Sequence, residues 1–268
     1  MFRIGTTSYI IPADILPNVA YLAPQVEDVQ LVLFETDEYG SNLPDAALCA
    51  RLNELAAAHG LTYSVHLPLD LRLGDGGEET DLSLVKARRV IEATHPLRPF
   101  AYTLHLDGRA LVDACGAGPV PEAYIASWRE NARRALEIVS GWLDEPERLC
   151  VENLEAWDPA FFAPLVETLP VSRTIDIGHL WLQGVDPLDH LACWIGRARV
   201  IHLHGVAERD HASLAHVPAT RLDPVVRFLA ARFGGVVTLE VFNQMDWLSS
   251  RAALAASLAR LGGSEAGL

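Results

Sequence analysis

Four cysteines, Cys49, Cys115, Cys150 and Cys193, are all that 268 residues contain, and no two form a CxxC pair. That spacing excludes a disulfide framework, which a chain of this length does not need to hold its core. They read as reduced thiols, so a cytoplasmic location is expected. No stretch reaches about 18 uninterrupted apolar residues, the length of a membrane span. The opening MFRIGTTSYIIPADILP has no basic segment followed by a long apolar run and a small-residue cleavage site, so neither an export signal nor a membrane partner is expected. Positive charge is also scarce: 21 Lys plus Arg stand against 35 Asp plus Glu, a formal net charge of -14. Such a surface repels a polyanion, which argues against nucleic acid as a partner. There is no GxSxG elbow and no P-loop. No Gly/Ser linker, repeat or low-complexity tract divides the chain, so one domain over residues 1–262 is expected, with 263–268 a frayed tail.

With 50% hydrophobic and 21% charged residues, the composition is that of an ordinary globular protein. Apolar runs rich in Val, Ile, Leu and Thr recur at Phe2–Ser8, Val29–Glu35, Leu61–Pro68, Tyr102–Asp107, Leu149–Leu154, Arg173–His179, Val200–Gly205 and Val236–Val241, giving eight strand candidates. Helical spacing lies between them. Ile125, Trp128, Ala132, Leu136, Val139 and Leu143 form one apolar stripe, and Leu48, Leu52 and Leu55 another. Further helices fit Leu82–Ala93, Pro159–Thr168, Pro187–Gly196, Asp223–Phe233 and Trp247–Leu261. Eight strand–helix alternations favour an α/β fold of the closed (β/α)8 TIM-barrel type over an open sheet, because closure leaves no edge. Active sites of such barrels lie on loops at the strands' carboxyl ends. The glycine-rich pieces Arg72–Gly77 and Cys115–Gly118 are candidate loops of that kind.

Alternate residues of a barrel strand point inward. Ser64 and His66, Thr103 and His105, Cys150 and Glu152, Thr174 and Asp176, His202 and His204, and Thr238 and Glu240 share that parity on six strands. Glu35 follows the second strand, His179 lies just past the sixth, and Asp210 and His211 fall in the loop after the seventh. Gathered at one mouth, these groups are expensive to bury unpaired, and divalent cations would neutralise them. Mixed His, Asp and Glu donors suit zinc, manganese or iron better than calcium, and their number suggests two or three ions. Glu35 reads equally as a ligand or as an acceptor that orients one. Asp210 is either a ligand or a solvated acid, and either His202 or His204 could be the ligand of the seventh strand. His59, His95, His190 and His216 are expected to be surface or packing residues. So are Trp128, Trp142, Trp194 and Trp247, whereas Trp181 could line a pocket.

The motifs Val-His-Leu-Pro at 65–68, His-Leu-Asp-Gly at 105–108, Val-Glu-Asn at 151–153, Asp-Ile-Gly-His at 176–179, His-Leu-His-Gly at 202–205, Asp-His at 210–211 and Leu-Glu at 239–240 resemble the apurinic/apyrimidinic endonuclease family 2 and xylose isomerase-like barrels. The resemblance implies a ligand set of His66, His105, Glu152, Asp176, His179, His202, Asp210, His211 and Glu240 for up to three ions. Those endonucleases place the loop Asp two residues before the His, whereas Asp210 and His211 are adjacent. The opening stretch 5–18, with Glu-Asp-Val-Gln-Leu-Val-Leu-Phe-Glu at 27–35, resembles the cobamide-remodelling phosphodiesterases (CbiR). Membership implies hydrolysis of the phosphoribosyl linkage in a cobamide's nucleotide loop, leaving cobinamide phosphate and a lower-base riboside.

Clustered dications suit phosphodiester hydrolysis by water. In this reading Glu152 bridges two ions and, with Asp176, Glu240 and a His of strand seven, holds one. His66 and His105 hold a second, and His179 and His211 a third; Glu152, Glu240 and His179 are the catalytic candidates. The rivals are a sugar isomerase or epimerase of the same superfamily, where Glu152 and Glu240 exchange a proton with carbon, and an endonuclease for damaged DNA. A metal-dependent corrinoid- or sugar-binding protein is the non-enzyme alternative.

Overall fold

The computed structural model describes residues 2–36, 40–111, 120–158 and 161–264. Its eight principal strands are β1 (Arg3–Thr7), β2 (Asp28–Val32), β3 (Thr62–His66), β4 (Tyr102–His105), β5 (Leu149–Glu152), β6 (Ser172–Asp176), β7 (Ala198–Leu203) and β8 (Val236–Leu239). All pair in parallel, each with its sequence neighbours, and β8 closes on β1 through Arg3 opposite Val236 and Thr6 opposite Leu239. The expected TIM barrel is therefore present. Val29, Leu31, Val65, Leu104, Val151, Ile175, Ile201, Leu203, Val237 and Leu239 are the outward residues, fully buried beneath the helices. Their burial at about 25 cal/mol per Å² ties strand to helix all round the ring.

The described helices are α1 (Ile15–Leu22), α2 (Ala46–His59), α3 (Gly77–Thr94), α4 (Glu122–Ser140), α5 (Ala163–Thr168), α6 (Ile177–Leu182), α7 (Pro187–Trp194), α8 (Ala219–Arg232) and α9 (Gln244–Ser264). Helix α4 buries Trp128, Ala132, Leu136 and Val139, the expected stripe. Asp45 caps α2 by accepting from Leu48 N, and Gly60 ends it with left-handed backbone (φ 68) that glycine adopts without steric cost. Pro159, Cys115 and the Cys115–Gly118 piece lie outside the described residues. Cys49, Cys150 and Cys193 are free. No described helix is long and apolar enough to cross a membrane.

All eight strands stop before the sequence pattern does, two of them by three residues. The second ends at Val32, and Glu35 instead belongs to a short antiparallel hairpin, Glu35–Thr36 with Gly40–Ser41. The sixth ends at Asp176, whose carboxylate accepts from His179 N at 2.7 Å and so starts α6. His179 therefore reaches the mouth from a helix, and strand parity does not govern it. Trp181 packs in the core with the Arg221 guanidinium 5.3 Å from its ring; it does not line the large cavity at the barrel mouth described below.

Asp28 marks the floor of the barrel interior. It is wholly buried, accepts from Thr62 Oγ1 at 2.6 Å and Ser64 Oγ at 2.9 Å, and burial pushes its pKa up to about 6 against those bonds. A carboxyl that holds its proton longer when folded costs stability as pH climbs from its unfolded to its folded pKa: between about pH 4 and 6 stability falls, by on the order of 3 kcal/mol. Asp28→Asn is accordingly expected to gain on the wild type from pH 5 to pH 8. Urea midpoints of both proteins at the two pH values check this; a wild-type-to-variant gap independent of pH would refute it.

Candidate metal centre

The carboxyl ends of the strands gather nine of the expected side chains into three adjoining donor groups, each with its ligand-capable atoms within 4.8 Å of one another. The first combines Glu152, Asp176, His202 and Glu240; the second, His66, His105 and Glu152; the third, Asp176, His179, His204 and His211. Glu152 and Asp176 each belong to two groups. The Glu152 oxygens divide the work: Oε1 lies 2.7 Å from His202 Nδ1, while Oε2 lies 2.9 Å from His105 Nε2 and 3.3 Å from His66 Nε2. His202 and His204, expected as alternatives, both take part, in different groups. Asp210 lies at the edge of the third group, 3.2 Å from His211 Nδ1 and 3.5 Å from His179 Nε2. Glu35 is outside all three; Arg89 holds its Oε1 at 2.7 Å.

Backbone carbonyls orient three of the imidazoles. His66 Nδ1 meets Leu67 O at 2.8 Å, His204 Nδ1 meets Gly205 O at 3.1 Å, and His179 Nδ1 meets Asn153 O at 2.9 Å. A carbonyl only accepts, so each Nδ1 carries the proton. The opposite Nε2 of His66 then faces Glu152 Oε2, and that of His204 faces Asp176 Oδ1 and Oδ2 at 3.1 and 3.2 Å. Lone pair facing lone pair is repulsive, so either the rings are doubly protonated or a cation lies between. This arrangement, Nδ1–H on a carbonyl and Nε2 free, is the one that metal-ligating histidines use. Glu240 Oε2 adds a second sign. It is buried and accepts no hydrogen bond, though His202 Nδ1 is 2.9 Å and His211 Nε2 3.3 Å away. The donor set therefore fits divalent cations of the zinc or manganese kind.

Without cations, protons do the neutralising. Burial opposes charge on the rings, yet Asp176 holds the His179 pKa up at about 11 and Asp210 with Glu240 holds that of His211 at about 10. Burial likewise opposes the ionised Glu152, and His202 and His105 overcome it, keeping this carboxyl well below the usual range. Among the described residues no Lys or Arg lies within 4.0 Å of Glu152, Asp176, Asp210 or Glu240; their ion-pair partners are histidines.

Several positioning residues escaped the sequence reading. Asn153 ties two strand ends together, its Oδ1 accepting from Asp176 N and its Nδ2 donating to Asp176 O, both at 2.9 Å. Gln30 meets His202 Nε2 at 2.8 Å from inside β2; its parity with Asp28 and Val32 was the available signal. Gly178 is small because a Cβ there would stand 2.0 Å from the His204 ring. Glu155 lies 3.4 Å from His179 Nε2 at the rim. His59, His95 and His216 are exposed, as expected, while His190 is buried and burial lowers its pKa to about 4.

Six of the nine donor residues, His66, His105, Glu152, His179, His211 and Glu240, form one wall of a cavity of about 990 Å³. The other wall is apolar, made by Tyr9, Val32, Leu33, Phe34, Leu67, Pro68, Leu69 and Phe242. Tyr9 and Phe34 meet edge to face at 6.3 Å and remain substantially exposed, at 51% and 40%. Asn18 builds the loop that carries Tyr9: its Oδ1 accepts from Ile10 N and Ile11 N, and its Nδ2 donates to Ala13 O at 2.7 Å. At the rim Lys86 pairs with Asp70 at 2.5 Å.

No protein-family model and no curated protein matches the chain. Solved structures do. A D-tagatose 3-epimerase-like protein superposes with a TM-score of 0.76 at 17% identity, over 98% of this chain and 99% of that one. Endonuclease IV from Thermus thermophilus gives 0.67 at 21%, over 96% and 99%. A D-psicose 3-epimerase crystallised in the presence of D-fructose gives 0.67 at 16%, over 96% and 98%. These likenesses establish the fold, a (β/α)8 barrel.

Because the cations would displace protons from His179, His204 and His211, metal uptake is expected to release protons and to tighten as pH rises from 6 to 8. Calorimetric titration of chelator-treated protein with Zn2+ in two buffers of different ionisation enthalpy measures the release; identical heats in both would count against it. Gly178→Ala should push His204 aside and remove about one equivalent of bound metal by elemental analysis. An unchanged metal content would show that His204 is not a ligand.

Proposed function

We propose that the protein is a metal-dependent phosphodiesterase acting on a small molecule, with the phosphoribosyl linkage of a cobamide's nucleotide loop as its substrate. The observation that carries this reading is the sharing of Glu152 and Asp176 among three adjoining donor groups. A carboxylate whose two oxygens face different sets of histidines is laid out for neighbouring cations. Glu152 with Asp176, His202 and Glu240 would hold one, His66 and His105 with Glu152 a second, and His179, His204 and His211 with Asp176 a third. Ions bound there supply an acidified water and positive charge for the diester oxygens. The chain's own residues orient that charge: Asn153 fixes Asp176, backbone carbonyls fix three rings, and Gly178 leaves space for His204.

The cavity supports a substrate larger than a free sugar. About 990 Å³ is at the top of the range for small-molecule sites, and its apolar wall of Tyr9, Phe34, Leu69 and Phe242 suits a broad, weakly charged body beside the diester. The opening stretch that resembles the cobamide-remodelling enzymes is the one that builds the Tyr9 loop. Duplex DNA is disfavoured by the charge of -14. Sugar epimerisation is the second reading, favoured by the superposition at TM-score 0.76 and by Glu152 and Glu240 both approaching His202 Nδ1, at 2.7 and 2.9 Å.

Metal-reconstituted protein should release the lower-base riboside from a complete cobamide. Glu152→Gln is expected to lower kcat by about a thousandfold or more, since it removes charge from two groups at once. Assays on a cobamide, bis(p-nitrophenyl) phosphate and D-fructose separate the readings; ketose epimerisation without phosphoester cleavage would overturn the proposal.

A further inference from the structure

A second cavity, of about 220 Å³, opens at the other end of the barrel, where the strands begin. Thr62 and Tyr63 of β3, the turn through Leu97, Arg98 and Phe100, Arg148 ahead of β5 and Arg199 of β7 line it. Three guanidinium groups and no carboxylate stand among its lining residues, in a chain with 35 acids against 21 bases. A fourth guanidinium is close by: Arg3 and Arg199 lie 4.3 and 4.4 Å from the Phe100 ring. Glu145, which accepts from Arg148 at 2.7 Å, and Asp28, which accepts from the lining Thr62 Oγ1 at 2.6 Å, are counter-charges at its edge.

Two of the three lining arginines are held in place rather than loosely solvated. Arg148 donates to Pro99 O at 3.1 Å and Arg199 to Phe100 O at 3.0 Å, and the buried Nε of each has no acceptor. The Arg98 side chain is exposed and makes no hydrogen bond or ion pair with any described residue. Its backbone is left-handed, φ 49, where it closes the 3-10 turn His95–Leu97. Among the described residues only one other non-glycine residue has positive φ: His211, of the third donor group at the mouth. Outliers of this kind gather at binding sites, where the surroundings enforce them.

We infer that this cavity is a binding site for a phosphate group, separate from the metal centre and independent of the activity proposed for it. Planar guanidinium forks match the oxygens of a tetrahedral dianion, which a single chloride does not exploit. The volume leaves room beyond the phosphate itself, and Phe100 and Tyr63 offer an aromatic border to whatever the phosphate is esterified to. Free phosphate and a phosphate monoester share this chemistry.

Calorimetric titration of the purified full-length chain with inorganic phosphate, and separately with adenosine 5′-monophosphate, both against chloride of equal ionic strength, tests the site. The wild type is expected to bind one phosphate per chain here, with Kd raised at least tenfold in Arg98→Gln and in Arg199→Gln. Tighter binding of the monoester identifies an esterified ligand; equal or weaker binding identifies free phosphate. The Arg98 side chain is exposed and bonds to no described residue, so its substitution is expected to leave the fold intact, and circular dichroism of both variants checks that. Neither variant alters the mouth, so phosphate taken up there titrates alike in all three proteins. Identical titrations, or none above dilution in the wild type, overturn the inference.

Discussion

Glu152 sits at the centre of the barrel mouth almost out of contact with water, with three imidazoles on its two oxygens. Taking a carboxylate out of water costs several kcal/mol unless something positive accompanies it. Around this one group the upper layer of the barrel is arranged: His66 and His105 from β3 and β4 on one side, His202 from β7 on the other, and Asp176 and Glu240 beyond. Protons can meet the requirement, and so can dications, and the two compete for the same lone pairs. That competition makes the site an acid-sensitive one by construction. Asp176 carries a second load, because the carboxylate that joins two donor groups also starts helix α6 and so sets where His179 stands.

Much of this was legible because a barrel strand converts residue parity into direction. His66, His105, Glu152, His202 and Glu240 could be read as neighbours from alternation alone, although they are spread over 175 positions of sequence. Parity fails where a strand gives way to something else. His179 is delivered by a capped helix and Glu35 by a hairpin, and the latter is drawn to Arg89 on α3, a partner that no local pattern announces. Asn153 and Gln30 act through bonds to backbone or to another side chain, and an amide carries no charge to draw attention in a sequence. The lower arginines stayed hidden for a different reason. Arg3, Arg98, Arg148 and Arg199 have no common spacing, and only closure of the ring brings them together.

The barrel is consequently polar along its axis: acids and imidazoles crowd the end where strands finish, guanidinium groups the end where they start. At the upper end the cavity has a wall of imidazoles and carboxylates and an apolar one, the latter drawn from the loops after β1, β2 and β3 and from Phe242 after β8. A molecule that satisfies both walls needs a compact anionic part and a broad apolar one. The Tyr9 loop is tied down by five hydrogen bonds of the Asn18 side chain, which lowers the entropic cost of ordering it against a ligand.

The Lys86–Asp70 pair has a practical corollary. Every other cationic side chain of fixed charge in the chain is an arginine, so Lys86 is the only lysine. An amine-reactive fluorophore thus has a single side-chain target besides the terminal amine, and that target borders the cavity. The molecule comes with its own attachment point for an optical reporter at the entrance, with no engineered residue required.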